Sequence, residues 1–223
     1  MATVTVTSVL KKVQIVLQDT TGTRWPLPEL LGWFNLAQKD IVNHRPDTHT
    51  KSILFDCQLG TRQVLPPEAL RLIRITRNET DASKRVVKLI DQRILDDQIP
   101  EWHNDEKASL VIDHYVYDDR IPKEFMVFPA AAVGAKLRGA ICTAPLEVVI
   151  ADNEFETDVQ VLGLDDTYVN PIMDFILYRA YSKDVTYAGS GQNAIAAYQS
   201  YANALGIKAQ MDQAITPKPD QVN

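Results

Sequence analysis

The C-terminal part of the chain, residues 166–211, predicts two helices joined by a glycine-containing connection at residues 188–191. Apolar residues recur there at intervals of three and four, which places them on one face of each helix. Pro171 suits the start of the first helix, and Gly206 favours an end of the second. An isolated helix pair cannot bury such faces, so the pair needs partners elsewhere in the chain or in another copy. The two faces comprise Val169, Ile172, Met173, Ile176 and Ala180, and Ala194, Ala197, Tyr198, Tyr201, Ala202 and Leu205.

Two N-terminal helices are candidate partners for that pair. Ser8 is a favourable cap for a helix that continues to Leu17 with apolar residues on one face. The prolines of residues 24–28 interrupt it. Apolar spacing from Pro28 to Asn43 predicts the next helix, which Pro46 ends.

The middle of the chain predicts strands. Residues 51–57 and 62–65 flank residues 58–61 and indicate a hairpin. Residues 70–76 form another predicted strand, and residues 110–117 form one that pairs with 125–129. The loop at residues 97–105 is expected to bury Trp102. Residues 84–91 fit either a strand or a short helix.

The remaining segments give weaker patterns. Residues 130–142 predict a helix, although Gly134 and Gly139 weaken it. Residues 146–150 fit a strand or the end of that helix. Residues 153–166 are acidic and predict an outward loop.

Together these patterns predict an α+β fold, in which an antiparallel helical bundle carries an inserted β-rich lobe. The N-terminal helices (1–46) and the C-terminal helices (166–211) form the bundle, and residues 47–165 form the lobe. Residues 212–223 contain two prolines and no apolar period, which predicts an extended tail.

Composition limits the functional classes. The net charge is -6, and the resulting acidic balance disfavours a protein that coats DNA. Cys57 and Cys142 stand far apart with no CxxC motif, so we expect free thiols in a reducing compartment. The sequence predicts no signal peptide and no membrane span, which indicates a soluble protein made in the cytoplasm.

The sequence predicts no enzyme chemistry, no metal site and no cofactor. The acidic pairs at residues 96–97, 118–119 and 165–166 have turn character, because neighbouring strand residues point to opposite faces. No histidine pair has metal-ligand spacing, and neither a GxSxG elbow nor a phosphate loop is present. A hydrolase using His103 or His114 is the least favoured hypothesis. The four histidines are His44, His49, His103 and His114.

One basic stretch contains Arg71, Arg74 and Arg77, followed by further cations to Arg93. Its alternation with leucine and isoleucine fits a solvated strand face. Contact with a DNA backbone and pairing with acidic residues of a neighbouring subunit are both consistent with it.

Four segments resemble the head-to-tail adaptor (connector) proteins of tailed bacteriophages, especially the tail tubular protein A type of short-tailed phages. Residues 25–38 (WPLPELLGWFNLAQ) are similar to the opening helix segment of that family. Residues 93–102 (RILDDQIPEW) resemble its loop ending in Pro-x-Trp, and residues 117–129 (YDDRIPKEFMVFP) resemble its strand pair. Residues 178–205 are similar to its C-terminal helices.

The resemblance implies a non-enzymatic virion protein of the neck or tail, made in the host cytoplasm. Copies would form a homo-oligomeric ring, with twelve members in that family, between the portal ring and the tail nozzle. DNA would pass through its channel during ejection without sequence-specific binding. The resemblance also leaves a runner-up, another phage neck or tail-completion protein.

The resemblance implies two kinds of contact residue. The candidates for portal contact are Ile215, Thr216, Pro217, Lys218 and Pro219. The candidates for subunit contact are Phe175, Tyr178, Tyr181, Arg71 and Arg74.

Overall fold

The computed structural model describes residues 2–80, 82–104, 107–184 and 189–215, with side chains through Gly206. Helices and sheets are both present, which confirms the α+β class. The chain divides into two compact units, a helical unit (Met1–Thr48 with Pro145–Asn223) and a β unit (His49–Ala144). The helices are α1 (Val6–Val16), α2 (Leu27–His44), α3 (Gln92–Gln98), α4 (Val169–Lys183) and α5 (Ser190–Ile215). The strands are β1 (Thr50–Asp56), β2 (Gly60–Val64), β3 (Ala69–Asn78), β4 (Lys88–Leu89), β5 (His114–Val116), β6 (Glu124–Ala131) and β7 (Lys136–Thr143).

In the helical unit, α4 contacts α1, α2 and α5. The apolar face predicted for α4 is the one that packs, because Ile172, Ile176 and Ala180 are all fully buried. α5 packs through Ala194, Tyr201 and Leu205 of its predicted face. The two C-terminal helices are therefore confirmed, but α5 buries only part of its predicted face, because Tyr198 and Ala202 are exposed.

Two predicted helix ends are wrong. α5 continues past Gly206 to Ile215, so residues 212–215 are helical rather than part of an extended tail. One glycine disfavours a helix by only about 1 kcal/mol, which is too little to end it. At the other end of the chain, α1 begins one turn earlier than predicted. Thr5, not Ser8, is its cap, and the Thr5 hydroxyl accepts a hydrogen bond from the Ser8 amide.

The predicted lobe ran to residue 165, whereas the β unit ends at Ala144. Residues 145–165 lie against the helices of the helical unit, where side chains of α2 form hydrogen bonds with their backbone amide and carbonyl groups. The Asn35 amide donates to the Val148 carbonyl (2.8 Å) and accepts from the Val148 amide (3.0 Å). Gln38 likewise accepts from the Gly163 amide at 2.8 Å. Residues 146–150 are neither strand nor helix.

The β unit contains two sheets, ordered β1-β7-β3 and β2-β6-β5-β4. β1 pairs with β7 and β2 pairs with β6, so the predicted hairpin across residues 58–61 is wrong. Each strand finds its partner 60 or more residues away, and local turn signals do not report such pairings. The predicted pairing of 110–117 with 125–129 is confirmed, although β5 is shorter and β6 longer than the predicted strands.

The helix predicted over residues 130–142 is also wrong, because the segment ends β6 and forms most of β7. Gly139 lies between β1 and β3 in the middle of that sheet. A Cβ atom there would stand 2.7 Å from the Phe55 ring and 2.9 Å from the Arg74 carbonyl oxygen. The glycine therefore serves close strand packing.

Trp102 is buried as predicted, with 3% of its surface exposed, and its indole Nε1 donates to Asp96 at 2.7 Å. The ambiguous segment 84–91 contributes only the two-residue strand β4 and one isolated bridge, between Arg77 and Val86.

Candidate functional site

The candidate arginines lie on β3, whose pairing is interrupted by three register shifts. Each shift adds one residue to β3 and none to β7, so every third residue of β3 returns to the same face. Leu72, Ile75 and Asn78 are thereby buried on the inner face. Arg71, Arg74 and Arg77 lie opposite Cys142, Ala140 and Arg138 on the other face.

The three arginines consequently form one row, here called the arginine row. Its members stand two β7 positions apart, about 7 Å along the sheet. Alternation of period two would have sent Arg74 to the opposite side from Arg71 and Arg77. The bulges therefore decide that the three positive charges share one surface.

Members of the row differ in their contacts. Arg71 pairs with Asp119, and 35% of its side chain remains exposed. Arg74 is exposed and lies near Tyr115. Arg77 is also exposed. Across the described part of the chain, neither Arg74 nor Arg77 has an ion-pair partner.

Two of the candidate aromatic residues of α4, Phe175 and Tyr178, contact each other at a ring separation of 6.1 Å. With Tyr198 and Tyr201 of α5 they form what is here called the aromatic cluster. Phe175 packs edge-on against Tyr201 at a ring separation of 5.4 Å, and Tyr178 contacts Tyr198 at 5.2 Å. Both are thus engaged within the chain by α5. Tyr181 lies apart, lining a cavity of about 460 Å³ with Trp25 and neighbouring residues. Tyr198, which sequence reasoning did not select as a contact residue, is 49% exposed at the edge of this cluster.

Tyr201 anchors the aromatic cluster to α2. Its hydroxyl donates to the Asp40 carboxylate, while only 3% of the residue is exposed. Burial, followed by this bond to a carboxylate, raises the pKa of Tyr201 above its ordinary value. The tyrosine therefore remains a neutral donor, which fixes α5 against α2.

The candidate portal contacts stand at and beyond the end of α5. Ile215 is the last helical residue, and Thr216, Pro217, Lys218 and Pro219 lie outside the described residues. α5 has 26 residues and so extends about 39 Å.

An acidic turn at residues 152–158 belongs to the helical unit and overlaps the outward loop that the sequence predicts at residues 153–166. Phe155 is buried and anchors it, while backbone bonds from Thr157 and Asp158 to the Glu154 carbonyl close it. Two of its carboxylates have partners in the chain, since Glu156 pairs with Lys11 and Asp158 accepts from Gln160. Asp152 and Glu154 are exposed and have no cation beside them among the described residues.

The arginine row, the aromatic residues and the acidic turn are surfaces suited to association. Two of the four histidines, His103 and His114, pack against aromatic rings. His103 stacks on Trp102 and shares a hydrogen bond of 2.8 Å with Thr61, while His114 lies beside Phe128. The described residues contain no group of three His, Cys, Asp or Glu side chains able to hold a metal. No described helix is both long and apolar enough to cross a membrane.

The chain matches a known protein family over most of its length. No curated protein matches the chain. The model of one family, described as SU10 adaptor protein, matches residues 4–219 and thus covers both units. This match supports the predicted resemblance to phage adaptors at the level of the family. Such a family implies a component of the virion neck or tail that interacts with portal and tail parts and has a structural role. The chain belongs to the SU10 adaptor protein family of bacteriophages.

Proposed function

We propose that copies of this chain form the ring that joins the portal to the tail nozzle and extends the DNA ejection channel. The match to an adaptor family over nearly the whole chain carries the proposal. The ring has twelve members and corresponds to tail tubular protein A of short-tailed phages. Ejected DNA passes through it without sequence-specific binding. The chain is made in the host cytoplasm before it joins the virion.

In this proposal the helices α1, α2, α4 and α5 form an antiparallel bundle. The contacts of α4 with the other three support it, as does the Tyr201–Asp40 bond between α5 and α2. The β-rich lobe is the inserted element. A bundle held by buried apolar faces is rigid enough to keep neighbouring copies in one register.

Subunit contacts are proposed on two surfaces. One is the aromatic cluster, where Phe175 and Tyr178 keep partial exposure and Tyr198 extends the surface outward, with Tyr181 nearby on α4. Tyrosines of this kind give large contact area with little loss of side-chain entropy. The other surface contains Arg71 and Arg74 on β3. Contacts between two different surfaces produce a ring when the rotation closes.

Portal docking is proposed for residues 215–219. Ile215 is the last residue of α5 and the others follow it, so the length of α5, about 39 Å, separates them from its first turn. Pro217 and Pro219 have fixed φ angles and no amide donor, which favours an extended segment that inserts into a groove.

The test is electron microscopy of the purified chain mixed with portal rings of the same phage. We expect an added ring on one face of the portal. Deletion of residues 216–223 should remove this ring, whereas deletion of residues 220–223 alone should retain it. Circular dichroism should show the same helix content in both variants. Absence of wild-type density on the portal would contradict the proposal.

The runner-up, another neck or tail-completion protein, makes a different prediction in the assembled virion. Cross-linking of the wild-type chain would then recover distal tail proteins rather than portal protein. Recovery of portal peptides supports the adaptor assignment.

A further inference from the structure

We propose that the arginine row of one copy binds the acidic turn, residues 152–158, of a second copy. This inference rests on the proposed ring and names the partner of one of its surfaces. Each half lies within a single unit of the chain, so the pairing depends only on surfaces already described.

The first argument is the shape of the row. Three bulges align Arg71, Arg74 and Arg77 on one face, with about 7 Å between neighbours. A bulged edge strand also resists pairing with another strand, so this surface recognises through its side chains. Planar guanidinium groups are well suited to carboxylates, which they bind through two parallel hydrogen bonds.

The second argument is the distribution of charge pairs in the β unit. Arg62, Arg85, Arg120 and Arg138 all have carboxylate partners within the unit. Arg71 is held by Asp119. Among the described residues of the row, Arg74 and Arg77 are therefore the two whose guanidinium groups are available to a carboxylate from outside.

The third argument is charge complementarity. The acidic turn presents Asp152, Glu154, Glu156 and Asp158 within seven residues that contain no cation. Asp152 and Glu154 have no basic partner in the described chain, which matches the two available arginines in number. Opposite surfaces of this kind steer association and fix the register between partners.

A second copy is a better occupant than DNA. The whole chain carries a charge of -6, which repels a polyanion, and Arg71 is already neutralised by Asp119. A DNA surface would also slow the passage of DNA through the proposed channel. A contact between the β unit of one copy and the helical unit of the next joins two different surfaces, as ring closure requires.

The test uses two charge-reversed variants of the full chain. One carries Arg74→Glu and Arg77→Glu, and the other carries Asp152→Lys and Glu154→Lys. Each variant alone places like charges at every contact, so we expect at least a tenfold loss of portal-bound rings by electron microscopy. An equimolar mixture restores opposite charges at every contact of an alternating ring with an even number of copies. We therefore expect the mixture to recover rings.

Arg93→Glu is the matched control, since Arg93 is an exposed arginine of the same unit outside the row. It should leave ring formation unchanged. Wild-type assembly should weaken between 0.1 M and 1 M salt, where the screening length falls from about 10 Å to about 3 Å.

The outcomes separate the two proposals. Normal rings from the Arg74→Glu, Arg77→Glu variant would overturn the pairing and leave the adaptor function standing. The pairing would also be overturned, with the adaptor function left standing, if each variant alone formed no rings and the equimolar mixture did not recover them. The wild-type chain could bind DNA in a gel-shift assay, and the Arg74→Glu, Arg77→Glu variant could lose that binding while it still forms rings. This result would assign the row to DNA and overturn the pairing. Failure of the wild-type chain to load on portal rings would overturn both proposals.

Discussion

The helical unit and the β unit differ in where the information for their structure resides. In the helical unit, α2 and α4 follow from apolar spacing within one segment, and most of the residues so aligned are buried. In the β unit, β1 pairs with β7 and β2 with β6, across 60 or more residues. Local patterns therefore predicted most of the helices of one unit, but in the other unit they predicted only the short-range pairing of β5 with β6. Function follows the same division, because the arginine row exists only through the bulges of a long-range pairing.

One device is common to both units. A buried asparagine uses its amide to bind the backbone N–H and C=O of a residue that lacks a regular strand partner. Asn35 does this for Val148 in the helical unit, and Asn78 does it for Ile112 in the β unit. Each unit thus includes a segment whose place is set by a side chain rather than by a ladder.

The largest expected effect is a loss of stability in the β unit when a glycine of β7 is replaced by alanine. Gly139→Ala should destabilise the β unit by about 3 kcal/mol, because its Cβ meets the Phe55 ring and the Arg74 backbone. Urea denaturation should measure this loss in the free energy of unfolding. Hydrogen exchange of the folded protein should be faster in β1, β3 and β7 and little changed in α4. An unchanged exchange pattern in β7 would contradict the close packing inferred at Gly139.

The asparagines give the next effect. Asn78→Asp keeps an acceptor for the Ile112 amide but removes the donor to the Ile112 carbonyl. We expect a loss of about 2 kcal/mol in the free energy of unfolding, with faster exchange at Ile112. Asn35→Asp should lose a similar amount, with faster exchange at Val148 instead.

Exposed Asn193→Asp is the control for both changes, and its effect should stay within about 0.5 kcal/mol. Exchange that rises in both units for either buried substitution would show that the units do not respond separately.

A smaller, pH-dependent effect belongs to the helical unit. Asp19 is buried and accepts from the amides of Trp25, Arg24 and Thr23 at 2.8, 2.8 and 3.0 Å. These bonds, first that from Trp25, lower the pKa of Asp19 below its ordinary value. Because the folded pKa is depressed, the stabilisation is full above the unfolded pKa of about 3.9 and is lost as pH falls through the folded value.

Asp19→Asn should therefore cost about 1 to 2 kcal/mol at pH 7 and progressively less as pH falls below about 4. Free energies of unfolding for both chains between pH 2 and pH 7 measure this convergence. Curves that remain parallel across that range would argue against the bonds to Asp19.

The smallest effect is a gain. Gly32 lies in α2 with an exposed surface, and a Cβ there would meet no atom within 4 Å. Gly32→Ala should stabilise the chain by about 0.5 to 1 kcal/mol, since alanine has the higher helix propensity. The same substitution thus has opposite signs at Gly139 and Gly32. A destabilised Gly32→Ala chain in thermal unfolding would contradict the contrast between the units.

Some buried residues are predictable from the sequence and others are not. The burial of Ile172, Ile176 and Trp102 follows from spacing and residue type, and the structure confirms it. The pattern Arg71, Arg74, Arg77 is present in the sequence, yet its three-residue period contradicts a simple strand. The shared face of the three arginines is predictable only if a bulge is assumed after every second paired residue of β3. Phe175 and Tyr178 are predicted subunit contacts, and only the structure shows that α5 of the same chain also packs against both.

By itself the sequence determined the presence of α1, α2, α4 and α5, most of the buried faces of α2 and α4, the α+β class and the resemblance to adaptor proteins. These depend on residues close together along the chain, where a period of 3.6 aligns apolar groups. The tertiary structure alone decided which strands pair, why Gly139 must be small, and that residues 145–165 lie with the helices. It also decided that Arg74 and Arg77 face outward together. Such features arise when distant segments meet, and a pairing shifted by one residue exchanges the faces of a strand.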